Sequence, residues 1–233
     1  MSTIYNQDYI KTTYKDNKTD YPAKLANFLF GNYTRSKILD IGCGNGDITS
    51  EIEKLDHDVY GIDWSLDAKS KLPQNRFFQC DLALKPYPFE ENTFDFVFSK
   101  SVIEHMNNPE ILFSEAYRML KNNGTIITMV PSWKHSYKEA FYIDHTHITP
   151  FTKHSLKTLH ELTGFKHIQV GYFYQLPQLW NKPVLSWFVT KIIQTLEVPY
   201  RPFEEYVVWP ESVNKFIRFS QEAMILCVAT KKV

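Results

Sequence analysis

The chain has 233 residues with 26 basic and 26 acidic side chains, so its formal net charge is zero. Zero net charge gives no electrostatic footprint for nucleic acid or for an anionic membrane surface. A hydrophobic content of 43% is enough for one sizeable core, and we expect a single domain over residues 1–233.

Cysteine usage and the N-terminal sequence bear on the cellular compartment. The three cysteines (Cys43, Cys80 and Cys227) are far apart and lack the spacing of a zinc site or a disulfide framework. The N-terminal residues lack the apolar core of a signal peptide, and no apolar run reaches the length of a membrane span. These features predict a cytoplasmic protein with reduced thiols.

Predicted secondary structure begins after a polar N-terminal arm at residues 1–20. Leu25, Phe28 and Leu29 recur at helical spacing, which predicts a first helix over residues 21–30. Helices then alternate with five predicted strands: Lys37–Ile41, Asp58–Asp63, Phe77–Cys80, Phe94–Ser99 and Thr125–Val130. This alternation predicts an α/β fold, a doubly wound and mostly parallel sheet with helices on both faces.

Two later helices carry signals for their ends. The pair Asn123-Gly124 predicts the end of the helix before the fifth strand. Thr152 can cap a following helix that Gly164 would end. The spacing predicts that this helix turns three leucines inward: Leu156, Leu159 and Leu162.

The last strands are predicted at His167–Phe173 and Ala223–Thr230, with an aromatic-rich insertion over residues 174–222 between them. The insertion contains an apolar stripe at helical spacing: Leu185, Phe188, Val189, Ile192, Ile193 and Leu196. The stripe could pack as a local core, form a lid that lines an acceptor pocket, or form the seam of a homodimer. Contact with a membrane is disfavoured, because Lys191 is nearly alone on the polar face.

Three alternating glycines follow the first strand: Gly42, Gly44 and Gly46. Glycines between a strand and a helix let a ligand approach bare backbone at the helix N-terminus, so this turn predicts a nucleotide-type site. Dinucleotide-binding folds use the pattern G-x-G-x-x-G, whose third glycine would stand where this chain has Asp47. That acid would also repel a pyrophosphate, which disfavours an NAD-dependent oxidoreductase.

The order D-x-G-x-G-x-G, from Asp40 to Gly46, resembles the first motif of the class I S-adenosylmethionine-dependent methyltransferases. Further similarities are the acids that follow the second and third strands, Asp63 and Asp81, the fourth-motif segment FDFVFS (94–99), and the segment LKNNGTIITMV (120–130). The resemblance covers about residues 21–170 and 223–231. It implies a Rossmann-like seven-stranded sheet with a reversed last strand, S-adenosylmethionine as cofactor and S-adenosylhomocysteine as product.

The resemblance also implies roles for individual residues. The glycine turn would admit the amino-acid end and sulfonium region of the cofactor, Asp63 would accept hydrogen bonds from the ribose, and Asp81 would contact the adenine amino group. Trp64 could place its ring under the adenine or pack in the core, and Asp81 could instead cap the next helix. The predicted cofactor-binding residues are Asp40, Gly42, Gly44, Gly46, Asp63, Trp64, Asp81, Leu82 and Ser99.

In methyl transfer the cofactor supplies the reactivity, while the protein aligns the nucleophile and removes its proton. One candidate cluster, Glu104-His105, follows the fourth strand. Enzymes of this superfamily that methylate amino groups of nucleic acids carry an Asn/Asp-Pro-Pro-aromatic segment here, which this chain lacks. The segment resembles that of ubiquinone-biosynthesis O-methyltransferases, whose Glu-x-x-Glu-His includes metal ligands; here Ser101 replaces the first Glu, so no metal is predicted.

The second cluster lies in Asp144–Thr152, between the fifth strand and the next helix. Its histidines, His145 and His147, stand two residues apart beside an acid, which suits metal ligands, a general base, or loop histidines that bond the backbone. Similar His-rich segments occur in methyltransferases that act on sugars, polysaccharides and small molecules. We favour His145 as the base, tuned by Asp144 or Glu104.

The sequence therefore predicts an S-adenosylmethionine-dependent methyltransferase that acts on an oxygen of a small molecule, a sugar or a glycan precursor. The predicted catalytic residues are His145, His105, Glu104 and His147. No nucleic acid partner and no integral membrane segment are expected, and a homodimer through the insertion is an open alternative. The competing hypotheses are a non-catalytic cofactor-binding subunit and, less favoured, an NAD-dependent oxidoreductase.

Overall fold

A computed structural model describes residues 20–137, 140–199 and 210–232, so nearly all of the predicted N-terminal arm lies outside the described residues. The described chain forms a seven-stranded sheet in the order β3-β2-β1-β4-β5-β7-β6, in which only β7 runs opposite to the other six strands. The strands are β1 Lys37–Ile41, β2 Asp58–Asp63, β3 Phe77–Gln79, β4 Phe94–Lys100, β5 Leu120–Pro131, β6 Lys166–Tyr174 and β7 Ala223–Thr230. This order and the reversed last strand confirm the predicted fold class.

Helices cover both faces of the sheet, because buried parallel strands turn alternate apolar side chains to opposite sides. On one face Leu39 packs with Phe113 and Leu156, and on the other Ile38 packs with Phe30 and Phe98. The helices are α1 Tyr21–Phe30, α2 Asp47–Glu53, α3 Glu110–Met119, α4 Trp133–Ser136, α5 Ala140–Ile143, α6 Lys153–Thr163, α7 Pro183–Thr195 and α8 Glu211–Gln221.

The junction between α3 and β5 differs from the prediction. The helix ends at Met119, and Leu120 already has an extended backbone, so Asn123-Gly124 lies inside β5 rather than at the helix end. The pairing of β4 with β5 shifts register between Phe94 and Phe96, which accommodates the extra residues as a bulge. The turn-like sequence therefore marks an irregularity in a strand.

Helix α6 confirms its predicted ends but not its full inner face. The Thr152 hydroxyl accepts a hydrogen bond from the Ser155 backbone N–H at 3.1 Å, and Gly164 ends the helix in the left-handed region with φ 103°. Leu156 and Leu159 are buried as predicted, but Leu162 is 78% exposed, so its inward assignment is wrong. Helical geometry gives the inner position to His160, which bonds the Leu156 carbonyl at 2.8 Å.

The insertion contains α7 and α8, and the apolar stripe of α7 does not form a local core. Thr190 and Gln194 face inward, where Gln194 donates hydrogen bonds to the Tyr174 hydroxyl at 3.1 Å and the Ser220 carbonyl at 3.2 Å. These polar contacts turn four stripe residues outward, and each is between 47% and 68% exposed: Leu185, Phe188, Ile192 and Leu196. None of the described helices is both long and apolar enough to cross a membrane.

Candidate active site

The glycine turn lies at the carboxyl end of β1, beside the loop that follows β4. Gly42, Gly44 and Gly46 have φ values of 77°, 55° and 77°, which favour glycine. A Cβ on Gly42 would lie 2.2 Å from Cγ2 of Val102, so only glycine lets the post-β4 loop close on the turn. A Cβ on Gly44 would meet nothing within 4 Å, which leaves its backbone open to a ligand.

Asp63, at the end of β2, holds the glycine turn in place. Its carboxylate accepts hydrogen bonds from the backbone N–H of Gly44 at 2.8 Å and of Ser65 at 2.9 Å. Burial raises the pKa of Asp63, and these two hydrogen bonds oppose the increase. Each carboxylate oxygen has more than one acceptor site, so the same group can still accept a hydrogen bond from a bound hydroxyl.

Asp40, at the start of the motif, is buried and accepts a hydrogen bond from the hydroxyl of Thr49 at 2.6 Å. Burial raises the pKa of Asp40 to about 7. Because Thr49 belongs to α2, this contact ties the first strand to the helix that follows the glycines. Thr49 is therefore part of the site framework, although nothing in the sequence pattern singles it out.

The remaining predicted cofactor residues lie along the same edge of the sheet. Trp64 follows β2 directly and is 45% exposed, while Ser99 is buried near the end of β4. Asp81 follows β3 and accepts a hydrogen bond from the Ala83 backbone N–H at 2.9 Å, and Leu82 beside it is half-buried. No helix follows Asp81 in this described stretch, so Asp81 closes a turn instead of capping a helix.

Asp95, the acid within the FDFVFS segment, lies at the opposite edge of the sheet. Its carboxylate accepts hydrogen bonds from the Lys37 backbone N–H and from the Lys121 ammonium group, both at 2.8 Å. These contacts join β1, β4 and β5 where the strands begin. Asp95 therefore stabilises the sheet far from the glycine turn.

The structure brings the two predicted catalytic clusters together. The Glu104 carbonyl accepts hydrogen bonds from the backbone N–H groups of Ile148 at 2.8 Å and Thr149 at 3.0 Å. The Glu104 side chain is fully buried, and neither carboxylate oxygen makes a hydrogen bond of good geometry among the described residues, although backbone groups of Glu104 and Val102 lie close enough to lower its pKa. Burial raises the pKa of Glu104 to about 8, so the carboxyl group is largely protonated at neutral pH.

The His105 and His147 rings lie 4.6 Å apart beside this carboxyl group. Nδ1 of His147 lies 2.6 Å from the Phe141 carbonyl oxygen, which can only accept, so this nitrogen carries the proton. The Thr146 hydroxyl donates to Asp144, so we assign Nδ1 of His105, 2.9 Å from that hydroxyl, as a donor too. Both histidines then have a basic Nε2.

Burial lowers the pKa of His105 to about 4 and also lowers that of His147, so both rings are neutral at pH 7. The side chains of Glu104, His105 and His147 offer ligand atoms within 4.8 Å of one another, a spacing that could also hold a divalent cation. The expectation of a metal-free site stays a prediction. His145 is exposed and lies outside this set, and its role as base also stays a prediction.

Lys100, at the end of β4, is a charged residue that the sequence analysis did not select. Burial lowers the pKa of Lys100, and the carboxylates of Glu104 and Asp40 oppose the decrease. The lysine therefore links the two acids electrostatically. A lysine that ends an otherwise apolar and aromatic strand is the sequence signal that could have identified it.

Comparison with known proteins adds independent evidence. A family model described as "Methyltransferase domain" matches residues 14–170. An uncharacterised protein of Methanocaldococcus jannaschii is 31% identical over 168 residues, which are 71% of this chain and 70% of that protein.

Two characterised relatives are similar over shorter stretches. Phosphoethanolamine N-methyltransferase 3 of Arabidopsis thaliana is 35% identical, over 39% of this chain and 20% of its own length. The mitochondrial ubiquinone biosynthesis O-methyltransferase of Rattus norvegicus is 33% identical, over 43% of this chain and 32% of its own length. This chain therefore matches less than a third of either enzyme, and their acceptors do not transfer to it directly.

Solved structures share the fold. An S-adenosylmethionine-dependent methyltransferase from Archaeoglobus fulgidus superposes with a TM-score of 0.65 at 18% identity, over 97% of this chain and all of the other. Phosphoethanolamine N-methyltransferase 2 of Haemonchus contortus, in complex with S-adenosylhomocysteine, gives a TM-score of 0.60 at 23% identity, over 90% of this chain and 52% of the other.

Proposed function

We propose a reaction for this chain, which belongs to the class I S-adenosylmethionine-dependent methyltransferases. Its cofactor is S-adenosylmethionine. We propose that the glycine turn, Asp63 and Asp81 bind this cofactor, with Trp64 against the adenine. Residues 1–233 would form one domain, with 174–222 as a lid, and the protein would act in the cytoplasm.

We further propose that the acceptor atom is an oxygen of a small molecule, a sugar or a glycan precursor. When bound, S-adenosylmethionine would supply an activated methyl group: its carbon–sulfur bond would break as the carbon–oxygen bond forms, with sulfur keeping the electron pair. The acceptor proton passes to the ionised form of Glu104, whose share grows as pH rises through about 8, or to Nε2 of His105 or His147, and from there it leaves to solvent. An oxygen nucleophile needs this help, whereas an amine needs less.

One observation carries this proposal. Both Glu104 oxygens are buried without a hydrogen bond of good geometry among the described residues, and each neighbouring imidazole presents a basic Nε2. Leaving this buried carboxyl group without a partner is costly, so Glu104 calls for a group that can accept from its protonated form and donate to its ionised form. An acceptor hydroxyl can do both. His145, which the sequence favours as the base, lies on the same segment; in this proposal it orients that hydroxyl, and the cluster takes the proton.

The test pairs hydroxyl acceptors with their amino counterparts and measures release of S-adenosylhomocysteine. We expect turnover with hydroxyl acceptors, a loss of 100-fold or more in kcat for Glu104→Gln, and unchanged cofactor binding by calorimetry. His105→Ala and His147→Ala should lower kcat, while His145→Ala should mainly raise KM. Activity should survive EDTA, and a requirement for a divalent cation would overturn the assignment of the cluster as base.

A second candidate, N-methylation, is favoured by the similarity to phosphoethanolamine N-methyltransferases. Turnover with amines alone and a normal kcat in Glu104→Gln would support it against O-methylation. Cofactor binding without turnover on any acceptor would instead favour a non-catalytic subunit.

A further inference from the structure

A cavity of about 1030 Å³ lies between the ends of β5 and β6 and helix α7. Its lining includes Lys134, His135, Tyr172, Tyr174, Trp187 and Lys191. The volume is at the upper end of the range for small-molecule sites, which leaves space for more than a compact polar acceptor. All of α7 and the last residues of β6 lie beyond residue 170, so this part of the wall lies outside the family match.

The cavity shares its edge of the sheet with the glycine turn. Strands β5 and β6 both run antiparallel to β7, so their carboxyl ends point the same way as those of β1 and β4. Aromatic contacts lead from Tyr137 of the cavity wall to the catalytic cluster: Trp133 lies 6.1 Å from Tyr137 and 5.4 Å from Phe141, and Phe141 lies 4.7 Å from His147. The cavity and the catalytic cluster are therefore joined by packed aromatic side chains at one edge of the sheet.

Positive charge gathers at one side of this cavity. The ammonium groups of Lys134, in the lining, and of Lys153, outside it, lie over the Tyr172 ring, 5.7 and 4.4 Å from its centroid. Burial lowers the pKa of His135 to about 4, and the charges of Lys134, Lys191 and Lys153 lower it further, so the imidazole stays neutral.

These lysines differ from other lysines of the described chain, several of which pair with acids along a helix. Among the described residues, Lys134, Lys153 and Lys191 have no carboxylate within salt-bridge distance, and Glu197, at the exposed rim, is the one acid in the described part of the lining. Lys134 and Lys191 outnumber it, so the described part of the lining is net positive and calls for an anion. Opposite the lysines the wall is apolar, formed by Phe28, Leu179, Trp180 and Trp187.

We propose that this cavity binds the methyl acceptor as an amphiphilic organic anion, with its phosphate or carboxylate on Lys134 and Lys191 and its apolar part against Trp187. This inference rests on the proposed function, because it treats the cavity's ligand as the acceptor. It also narrows that function, since neutral sugars would lack the group that the lysines select.

Hexyl phosphate is the probe, because it is soluble and combines both features. We expect it to quench tryptophan fluorescence on titration, and we expect 1-hexanol and inorganic phosphate each to bind at least 10-fold more weakly. The double variant Lys134→Gln/Lys191→Gln should weaken hexyl phosphate binding 10-fold or more and leave hexanol binding unchanged. Lys157→Gln, which removes a lysine paired with Glu161 on α6, is the matched control and should change nothing.

Calorimetry with S-adenosylhomocysteine on the same samples separates the two proposals. Normal cofactor binding with no hexyl phosphate binding, or with binding that survives the double variant, would overturn the acceptor cavity and leave the methyltransferase function intact. If the unmodified protein does not bind S-adenosylhomocysteine, the proposed methyltransferase function itself is overturned. Binding to vesicles of anionic phospholipid without binding to soluble hexyl phosphate would show a membrane surface in place of an acceptor cavity, and would also overturn the inference.

Discussion

At the scale of single residues, the buried Glu104 carboxyl group has a pKa of about 8 in the folded chain, against an ordinary value of 4.5. The folded state therefore holds a proton that the unfolded state releases between these pH values, so the free energy of unfolding should fall as pH rises from about 5 to 8. Each unit of pKa difference corresponds to about 1.4 kcal/mol, so the total amounts to several kcal/mol.

Glu104→Gln removes this dependence, because glutamine carries no ionisable proton. We expect urea unfolding to show that the variant gains stability relative to the unmodified protein as pH rises from 5.5 to 8.5. Glu115→Gln is the control, and its effect on stability should have the opposite sign. Arg118 pairs with Glu115 and lowers its pKa, so removing this charge should lower the free energy of unfolding at neutral pH. A Glu104→Gln variant that becomes less stable at high pH would show that the carboxylate is ionised and paired.

Gly42 can be tested in a similar way. Alanine there would require a left-handed backbone and would place its Cβ 2.2 Å from Val102. We expect Gly42→Ala to cost about 1–3 kcal/mol of unfolding free energy and to weaken cofactor binding. Gly171→Ala is the matched control, because a Cβ there meets nothing within 4 Å, and its cost should stay below about 0.5 kcal/mol. Equal costs at the two positions would contradict this account.

The residues of the glycine turn could be predicted from sequence because spacing along the chain fixes them. The cluster could be predicted only in part. Glu104, His105 and His147 were all candidates, but their convergence depends on hydrogen bonds between segments about 40 residues apart. Spacing does not encode such a contact, and for the same reason it gave no hint that Lys100 lies between two acids.

At the scale of elements, α6 shows where periodicity alone fails. A leucine repeat of three residues predicts Leu162 on the inner face, but 3.6 residues per turn carry it round to solvent. We expect Leu159→Ala to cost about 2–5 kcal/mol of unfolding free energy, since it empties a buried site. Leu162→Ala should change the same quantity by less than about 0.5 kcal/mol. Urea denaturation of both variants measures these costs. A large loss of unfolding free energy in Leu162→Ala would show that this side chain is packed in an interface.

Strand positions were the most predictable elements, because buried parallel strands are continuous apolar runs with polar ends; β1, β2 and β7 have the predicted bounds. The orientation of α7 was not predictable. Its apolar stripe favours burial, yet Gln194 is held inward by hydrogen bonds to β6 and α8. Hydrogen bonds between distant elements therefore determine the orientation of α7.

At the scale of the whole molecule, the two edges of the sheet have different roles. Asp63 lies at the carboxyl edge and orders the glycine turn, while Asp95 lies at the other edge and joins three strands. Both acids accept a backbone hydrogen bond, and both fall in segments that resemble methyltransferase motifs. Stability measurements without cofactor would therefore not distinguish a binding acid from a framework acid.

The stability that a bound cofactor adds does distinguish a binding acid from a framework acid. A ligand that binds only the folded state adds about 2.7 kcal/mol to the free energy of unfolding at 100 times its Kd. We expect Asp63→Asn and Asp95→Asn each to lower the stability of the cofactor-free protein by about 1 kcal/mol, the typical value of one hydrogen bond. S-adenosylmethionine is then added at 100 times the Kd of the unmodified protein. Asp95→Asn should show the full increase in unfolding free energy, and Asp63→Asn should lose most of that increase. If both variants kept the increment, Asp63 would be a framework residue like Asp95, and the ribose would need another acceptor at this edge.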